Sequence, residues 1–529
     1  MHLFSIKIES FSTRIFTLLK ALYAGIGCGI LVLVLFAPKS WYTPSAINSS
    51  LFSSLFLFIV VLLCSGTYWL FSFFRAEIVS KIPHFRLLVL GCSLLLLGAQ
   101  ILITHQIYFY TGWDPGILYE TSQQILNHGY TDFLANYFST YPNNLFLLAI
   151  YTGTMFLGKL LFGGDGYALC LLLNHLLITG SGFLLTLLAA RVLHSERRAL
   201  FVWLLYAAFV GLSPWFTIPY SDTFALFFTI LPLYLYSFRD SSQCRILRCF
   251  VFGFSVIIGA AIKPTVLIVL IAIILVELVR NIGFFRANWR NWLAKLATLV
   301  LAAICAQSLI VASVEPLGLK LDKNQAFSWP HFMMMGLNDV SHGVYLYSDV
   351  TYSASFATPE ARVDSNFEVI QQRLNNFGAA GLLQFGGKKL LINYNVGTLG
   401  WWGEGEFDLH PVAEQNATIS PFLRSIYYPS GSYYQIFATF MQFLWIFILF
   451  NMLFAFLLRR NEQSATMYVC LSSIIGITLF TLLFEARSRY LICFQPVYLL
   501  CAAVGFFSVA DDLRRRNPNH DSSLSARSD

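Results

Sequence analysis

Twenty-residue apolar runs decide what this chain can fold into. They recur from one end of the sequence to the other, separated by short polar stretches. A hydrocarbon layer about 30 Å thick needs about 20 apolar residues of helix to cross it. Backbone groups inside that layer must be satisfied within the segment, so helices or closed barrels are the available solutions. Barrel strands read as short alternating segments, and the runs here are continuous. The predicted fold class is therefore all-α, a polytopic transmembrane helical bundle. Composition agrees: 57% of residues are apolar and 12% charged, and 50 are Phe. A soluble domain carries about 25% charged residues.

Twelve spans are predicted, at 16–36, 52–74, 86–105, 166–190, 199–213, 221–237, 246–262, 264–281, 291–313, 436–458, 466–484 and 489–508. No small-residue cleavage site clearly follows the first, so it reads as a span and not as a removed signal. The net charge of +7 does not point to nucleic acid, because basic residues sit at the ends of apolar runs. They are also unevenly divided. With the N-terminus inside, cytoplasmic segments and adjoining span ends hold 22 of the 34 Lys and Arg, among them Arg75, Lys81, Arg86, Arg191, Arg197, Arg198, Arg239, Arg245, Arg248, Arg286, Arg290, Lys295, Arg459, Arg460 and Arg514–Arg516. That asymmetry predicts a multi-pass protein of the cell membrane with both termini cytoplasmic. Residues 143–162 are apolar enough to span, but a span there would invert every later basic cluster. They are read as a helix lying in, or dipping into, the outer interface. All ten Cys fall in spans or cytoplasmic turns, with no disulfide framework and no C-x-x-C zinc spacing.

The organisation expected is two N-terminal spans in 1–85, a transmembrane core in 86–313 with a first outer loop at 106–165, an outer loop region at 314–435, C-terminal spans in 436–510, and a disordered cytoplasmic tail in 511–529. Within the outer region, Val363, Phe367, Ile370, Leu374 and Phe377 keep helical spacing and predict an amphipathic helix. Lys388, Lys389, Trp401 and Trp402 mix charge with aromatics, as in a loop resting on a membrane surface.

Polar residues able to carry chemistry gather at the outer rim. Asp114, in YTGWDPGILYETSQQIL, is a carboxylate just outside the third span; it can take a proton from an attacking acceptor, or be an ordinary turn acid before Pro115. Tyr141 and Asn143 belong to YPNN (141–144), which opens the interfacial helix, where either Asn can act as a cap. Asp222, in TIPYSDTF, either caps the sixth span or lines a polar cavity at its mouth. Lys263 stands beside the helix-breaking Pro264, where it snorkels or binds an anion. The turn EARSRY (485–490) holds Arg487, Arg489 and Tyr490; two guanidinium forks at head-group level suit phosphate. His331, His342, His410, Asp339 and Asp349 match no metal-ligand spacing and read as scattered surface groups. Neither a metal nor another cofactor is implied.

In this order, the stretches WDPG (113–116), YPNN (141–144), YSDT (220–223), KPT (263–265), MMGLN (334–338) and WGEGEF (402–407) resemble the GT-C superfamily of membrane glycosyltransferases. The likeness runs from about residue 86 to 510. It is closest to the branch related to protein O-mannosyltransferases and lipid A aminoarabinose transferases, and to integral membrane proteins of Gram-positive bacteria. The resemblance implies a helical bundle with interfacial helices and an outward-facing cavity. It implies transfer of a sugar from a polyprenyl-phosphate-linked donor to a cell-envelope glycan, lipid or protein. Asp114 matches the first-loop acid of the family, the general base. Arg487 and Arg489 match the basic group that holds the carrier phosphate; Lys263 and Asp222 match more loosely. Two departures stand out: two extra spans precede the usual first helix, and WDPG replaces a paired D-E. The competing readings are a lipid-linked sugar flippase, which would distribute ionisable residues through mid-span positions, and a non-catalytic membrane protein.

The predicted sidedness is testable with single Cys residues placed at Ser522 and Asn416 in a Cys-free background. Only the Asn416 site should react with an impermeant thiol reagent in whole cells; equal labelling of both would overturn the arrangement.

Overall fold

The structure is a computed structural model, and it describes residues 2–74, 81–127, 132–281, 289–401, 410–411, 414–457 and 464–516. Arg75, Arg286, Arg459, Arg460, Trp402, the stretch 402–407 and the tail beyond Arg516 lie outside the described residues, as do the side chains of Arg290 and His410.

The chain is helical almost throughout. In order come α1 (His2–Phe36), α2 (Ser54–Phe74), α3 (Phe85–Ile107), α4 (Asp114–Leu126), α5 (Asp132–Thr140), α6 (Leu145–Phe162), α7 (Tyr167–Leu193), α8 (Glu196–Tyr206), α9 (Ser221–Tyr236), α10 (Arg245–Ile262), α11 (Leu267–Asn281) and α12 (Trp289–Val314). There follow α13 (Trp329–Gly336), α14 (Tyr347–Ala354), α15 (Pro359–Tyr394), α16 (Ile419–Tyr427), α17 (Tyr434–Met452), α18 (Ser464–Leu483) and α19 (Gln495–Arg515). A two-residue antiparallel ladder pairs Phe109–Tyr110 with His410–Pro411.

Among the described residues, eleven helices are long and apolar enough to cross a membrane. One of them is Pro142–Phe162; the other ten fall on predicted spans. The two remaining predicted spans, 199–213 and 221–237, correspond to α8 extended by a π-helical turn at Ala207–Gly211 and to the shorter α9. The helix containing α19 is the hub, with 89% of its apolar stretch enclosed, whereas α12 is peripheral at 11%. An element apolar all round is stable at a bundle centre or against lipid, and these two helices illustrate each case. Several helices outrun their apolar stretches: α1 begins at His2 and α19 continues to Arg515.

The bundle has two unlike ends. At the basic end Arg198 grips Asp511 with both terminal nitrogens, at 2.8 and 2.6 Å. Arg514 joins Asp511 at 3.0 Å and donates to the Ser72 carbonyl, so α2, α8 and α19 are tied together there. The other end, the loop end, collects 106–165, 315–433 and 484–490. Helix α6 has several contacts at this end. Asn143 and Phe146 share a cavity wall with Ala260 and Ala261 of α10 and Gln307 of α12. Gly158 packs on the backbone of Gly166, and Lys159 donates to Asn127. Length and composition would let α6 cross a membrane; its neighbours are α4, α7, α10 and α12.

The outer region differs from expectation in its polarity. A helix does cover 361–377, within α15, which turns at Gly378 (φ 56°). Its buried face, however, is Arg362, Asn366 and Ile370; Phe367 and Leu374 are exposed. The Arg362 guanidinium donates to the carbonyls of Ser353, Asn324, Ala326 and Phe356, and satisfying those acceptors fixes the helix rotation. His331 is no surface residue: it is fully buried, with Nδ1 2.7 Å from Ser353 Oγ, which donates to Asn366. Asp349 is also buried, held by Arg373 at 2.8 Å. Within the Lys–Trp stretch, Lys389 and Trp401 are enclosed and are not surface groups. Lys389 Nζ donates to the carbonyls of Gly336, Leu482 and Phe484 at 2.6, 2.8 and 2.6 Å. These carbonyls end α13 and α18, and an ammonium is well matched to helix C-termini.

Burial lowers the His331 pKa to about 4, against about 6.5 in an unfolded chain. The fold holds the neutral ring, so stability is complete above pH 6.5 and declines as pH falls from 6.5 towards 4, by up to about 1.4 kcal/mol per pH unit. Hydrogen exchange over α13–α15 should accelerate in that window, and His331→Gln should flatten the dependence. An unchanged slope in the variant would assign the effect to another group.

Candidate functional site

The WDPG turn sets the first acid. Trp113 is extended, and α4 starts at Asp114 with Pro115 in its first turn, a position that costs a proline no hydrogen bond. The chain folds back so closely that a Cβ on Gly116 would lie 1.9 Å from the Thr111 carbonyl oxygen; only glycine fits. Asp114 is thereby held at a helix N-terminus, where the peptide dipoles favour a carboxylate. Tyr137 donates to one carboxylate oxygen and Tyr220 to the other, both at 2.8 Å. Asn144 donates in turn to the Tyr137 oxygen at 2.7 Å. Burial first, and then the charge of Asp114, push the Tyr137 and Tyr220 hydroxyl pKa values well above the ordinary phenol range. Both phenols therefore keep their protons and orient the acid. Asp114 remains half-buried, and a carboxylate has about four acceptor positions, so a further donor can be taken.

Tyr220 leads into the second acid. Its N–H donates to Thr223 Oγ1, closing the first turn of α9. Asp222, 1% exposed, then faces two cations: Lys263 Nζ lies 2.6 Å from Oδ1 and Arg489 Nη1 3.0 Å from Oδ2. Lys263 is placed by the break between α10 and α11, where its backbone is extended before Pro264. The Arg489 guanidinium lies over the ring of Trp113, 4.4 Å from its centre, and Lys263 lies 4.6 Å from that of Tyr490. The triad carries a formal charge of +1 in a site with little water to screen it.

A third acid completes the cluster. Glu485, largely buried, accepts from Arg487 Nε at 2.9 Å, from the Tyr490 hydroxyl at 2.6 Å and from the Tyr345 N–H at 3.2 Å. Burial alone would raise its pKa, but Arg487 and the hydrogen bonds outweigh it and the net shift is downward. Glu485 is ionised at neutral pH.

Seven of the eight site residues expected from sequence thus converge: Asp114, Tyr141, Asp222, Lys263, Arg487, Arg489 and Tyr490. Tyr141 packs against Tyr137 in a tilted arrangement, 5.2 Å between ring centres, and burial, followed by Tyr345 and Asp114, raises its pKa. Asn143 is turned aside. It reaches Asn144 at 3.4 Å and lines a cavity of about 420 Å³ between α6, α10 and α12, with Leu145, Ile310, Val314 and Glu315 among its walls. Its neighbour Asn144 is the one that touches the Asp114 cluster. The site expected from sequence did not include Tyr137, Asn144, Tyr220 or Glu485. Asn144, Tyr220 and Glu485 stood inside motifs already singled out, whereas nothing local marked Tyr137. Among the described residues no group of three or more His, Cys, Asp or Glu is placed to hold a metal ion.

MMGLN has a supporting role. A Cβ on Gly336 would meet the Phe484 carbonyl carbon at 2.5 Å, so the outer region lies directly on the turn bearing Glu485, Arg487 and Arg489. Asn338 anchors that contact through Asp349 at 2.9 Å, and the Gly343 carbonyl accepts from the Ala486 N–H.

The fold and the apolar helices define a polytopic integral membrane protein. More particularly, the chain belongs to the family described as "Conserved hypothetical integral membrane protein", whose profile matches residues 19–508. Comparison with curated proteins gives no match.

The triad's charge predicts an asymmetry. Asp222→Asn leaves two buried cations face to face and should cost about 3–5 kcal/mol. Lys263→Met leaves a neutral Asp222–Arg489 pair and should cost less. Thermal or denaturant unfolding in one detergent checks the order, and equal losses would contradict it.

Proposed function

We propose that the protein is a membrane glycosyltransferase that moves a sugar from a polyprenyl-phosphate-linked donor to a cell-envelope acceptor at the non-cytoplasmic face. The observation that carries this reading is the link through Tyr220. It joins a half-exposed acid, Asp114, to a buried cluster of net positive charge, Asp222–Lys263–Arg489. Transfer from a phosphate carrier needs one acid and one anion holder, close together yet not neutralising each other.

In the proposed step Asp114 accepts the proton of the acceptor hydroxyl or amine as that atom bonds to the anomeric carbon. The bond from this carbon to the carrier phosphate oxygen breaks, and the electron pair leaves with the phosphate. Lys263 and Arg489 stabilise the leaving anion, with Arg487 beside them. Positioning two bound partners supplies much of the remaining acceleration. Tyr141 and Tyr490 provide aromatic faces for the sugar, and the apolar cavity reached by Asn143 has room for part of the lipid chain. The charged groups concerned stand at helix ends: Asp222 opens α9, Lys263 follows α10, and Arg489 precedes α19. That placement favours an interfacial transferase over a flippase. The loop end then faces outward, and the basic end, with both termini, faces the cytoplasm.

Asp114→Asn retains size and hydrogen bonding but accepts no proton. Sugar transfer from a polyprenyl-phosphate donor in liposomes should fall by roughly 10²–10⁴-fold, with donor binding nearly unchanged. Arg487→Ala should weaken donor binding first. Near-normal transfer by a folded Asp114→Asn protein would remove the acid from the mechanism.

A further inference from the structure

A charged cavity lies at the opposite, basic end. It encloses about 300 Å³ between α3, α7, α8 and α9, and its walls include Lys81, Arg86, Arg191, His194 and Glu196. Three permanently basic side chains and a histidine thus face one acid. That acid is engaged, since Glu196 accepts from the Ile82 N–H at 2.5 Å. Arg191 is positioned by the structure: Nε and Nη2 donate to Ser237, each at 3.1 Å, and the guanidinium lies 3.7 Å from the centre of the Phe238 ring. Helix α3 also begins here, at Phe85, with no side chain capping its N-terminal amides. Like charges collected around a cavity repel one another unless an anion enters. Basic side chains, amide donors and room for a small group together describe an anion site.

The surroundings identify the anion. From Arg86 onward α3 displays Leu87, Leu90, Leu94 and Leu95 on its exposed surface, so an apolar face rises directly from the charged cavity. A ligand with a phosphate head and acyl chains matches both parts. Basic pockets between transmembrane helices suit anionic head groups in this way. We propose that the cavity between α3, α7, α8 and α9 binds the phosphate of an anionic membrane lipid, with Lys81, Arg86 and Arg191 as its ligands. This site is separate from the Asp114 cluster and does not rest on the transferase reading.

The test uses the full chain in nanodiscs of phosphatidylcholine, with phosphatidylglycerol or inorganic phosphate as the probe and bound lipid counted by native mass spectrometry. Phosphatidylglycerol should be retained in preference to phosphatidylcholine. Lys81→Gln combined with Arg86→Gln should weaken it roughly thirtyfold. Both residues are exposed, so the variant should fold, and its melting point in phosphatidylcholine verifies this. Arg516→Gln, at the same end but away from the cavity, controls for general surface charge and should change little. Undiminished retention in the double variant, or an equal loss in Arg516→Gln, would overturn the site. Inorganic phosphate at millimolar concentration should fail to displace the lipid; full displacement would reassign the cavity to soluble phosphate and overturn the lipid proposal.

Discussion

Asp222 shared between Lys263 and Arg489 is the interaction on which the loop end depends. Three ionised groups, each at most 9% exposed, sit at the ends of helices whose other surfaces are apolar. Removing such charges from water costs several kcal/mol per ion, and mutual attraction recovers that only with close geometry. The triad joins the start of α9, the break after α10 and the turn before α19, segments 41 and 267 residues apart along the chain. Hydrophobic packing brings these helices together without fixing their rotation or depth. One carboxylate bound by two cations on different helices fixes both.

The outer region acts on the same turn from the other side. Lys389 inserts its ammonium among carbonyls that close α13 and α18, one of them that of Phe484, the residue that leads into Glu485. Burial draws its pKa down to about 7, while the three acceptors favour the protonated form, because a neutral amine has only two donors. The segment Leu482–Arg489 is therefore clamped between the outer region and the bundle. A side chain that touches neither Asp114 nor the triad sets where Arg487 and Arg489 can reach.

How much of this was legible in the sequence divides by range. Span positions follow from apolar runs, since transfer into hydrocarbon is summed along contiguous residues. Asp114, Asp222, Lys263 and the EARSRY turn were legible because charge beside an apolar run is costly and therefore conspicuous. Lys389, His331 and Trp401 were misread because their hydrogen-bond partners come from segments 22 to 95 residues away, and a residue in a long loop carries no local mark of burial. The amphipathic pattern of 361–377 named a helix correctly and its inner face in part: Ile370 is buried and Phe377 packs on the core, but Phe367 and Leu374 are exposed. Arg362, which donates to four carbonyls, takes an inner position that hydrophobic spacing did not mark. Tyr137 had no signal at all: its hydroxyl reaches Asp114 across 23 residues of sequence, from a different helix.

Charge arithmetic explains why the two halves of the candidate site can coexist. Were Asp114 ion-paired directly with Arg489, it would be a weaker proton acceptor, and the cation would have less to offer a phosphate. Instead, the neutral phenol of Tyr220 lies between them: its hydroxyl donates to Asp114, and its ring lies 5.7 Å from the Arg489 guanidinium. Arg489 is held by Asp222 and by the face of Trp113, the residue immediately before the acid. The backbone turn that aims Asp114 thus also supplies the surface on which the guanidinium rests. The tight turn at Gly116 sets the separation of acid and cation, so a change in that turn moves both.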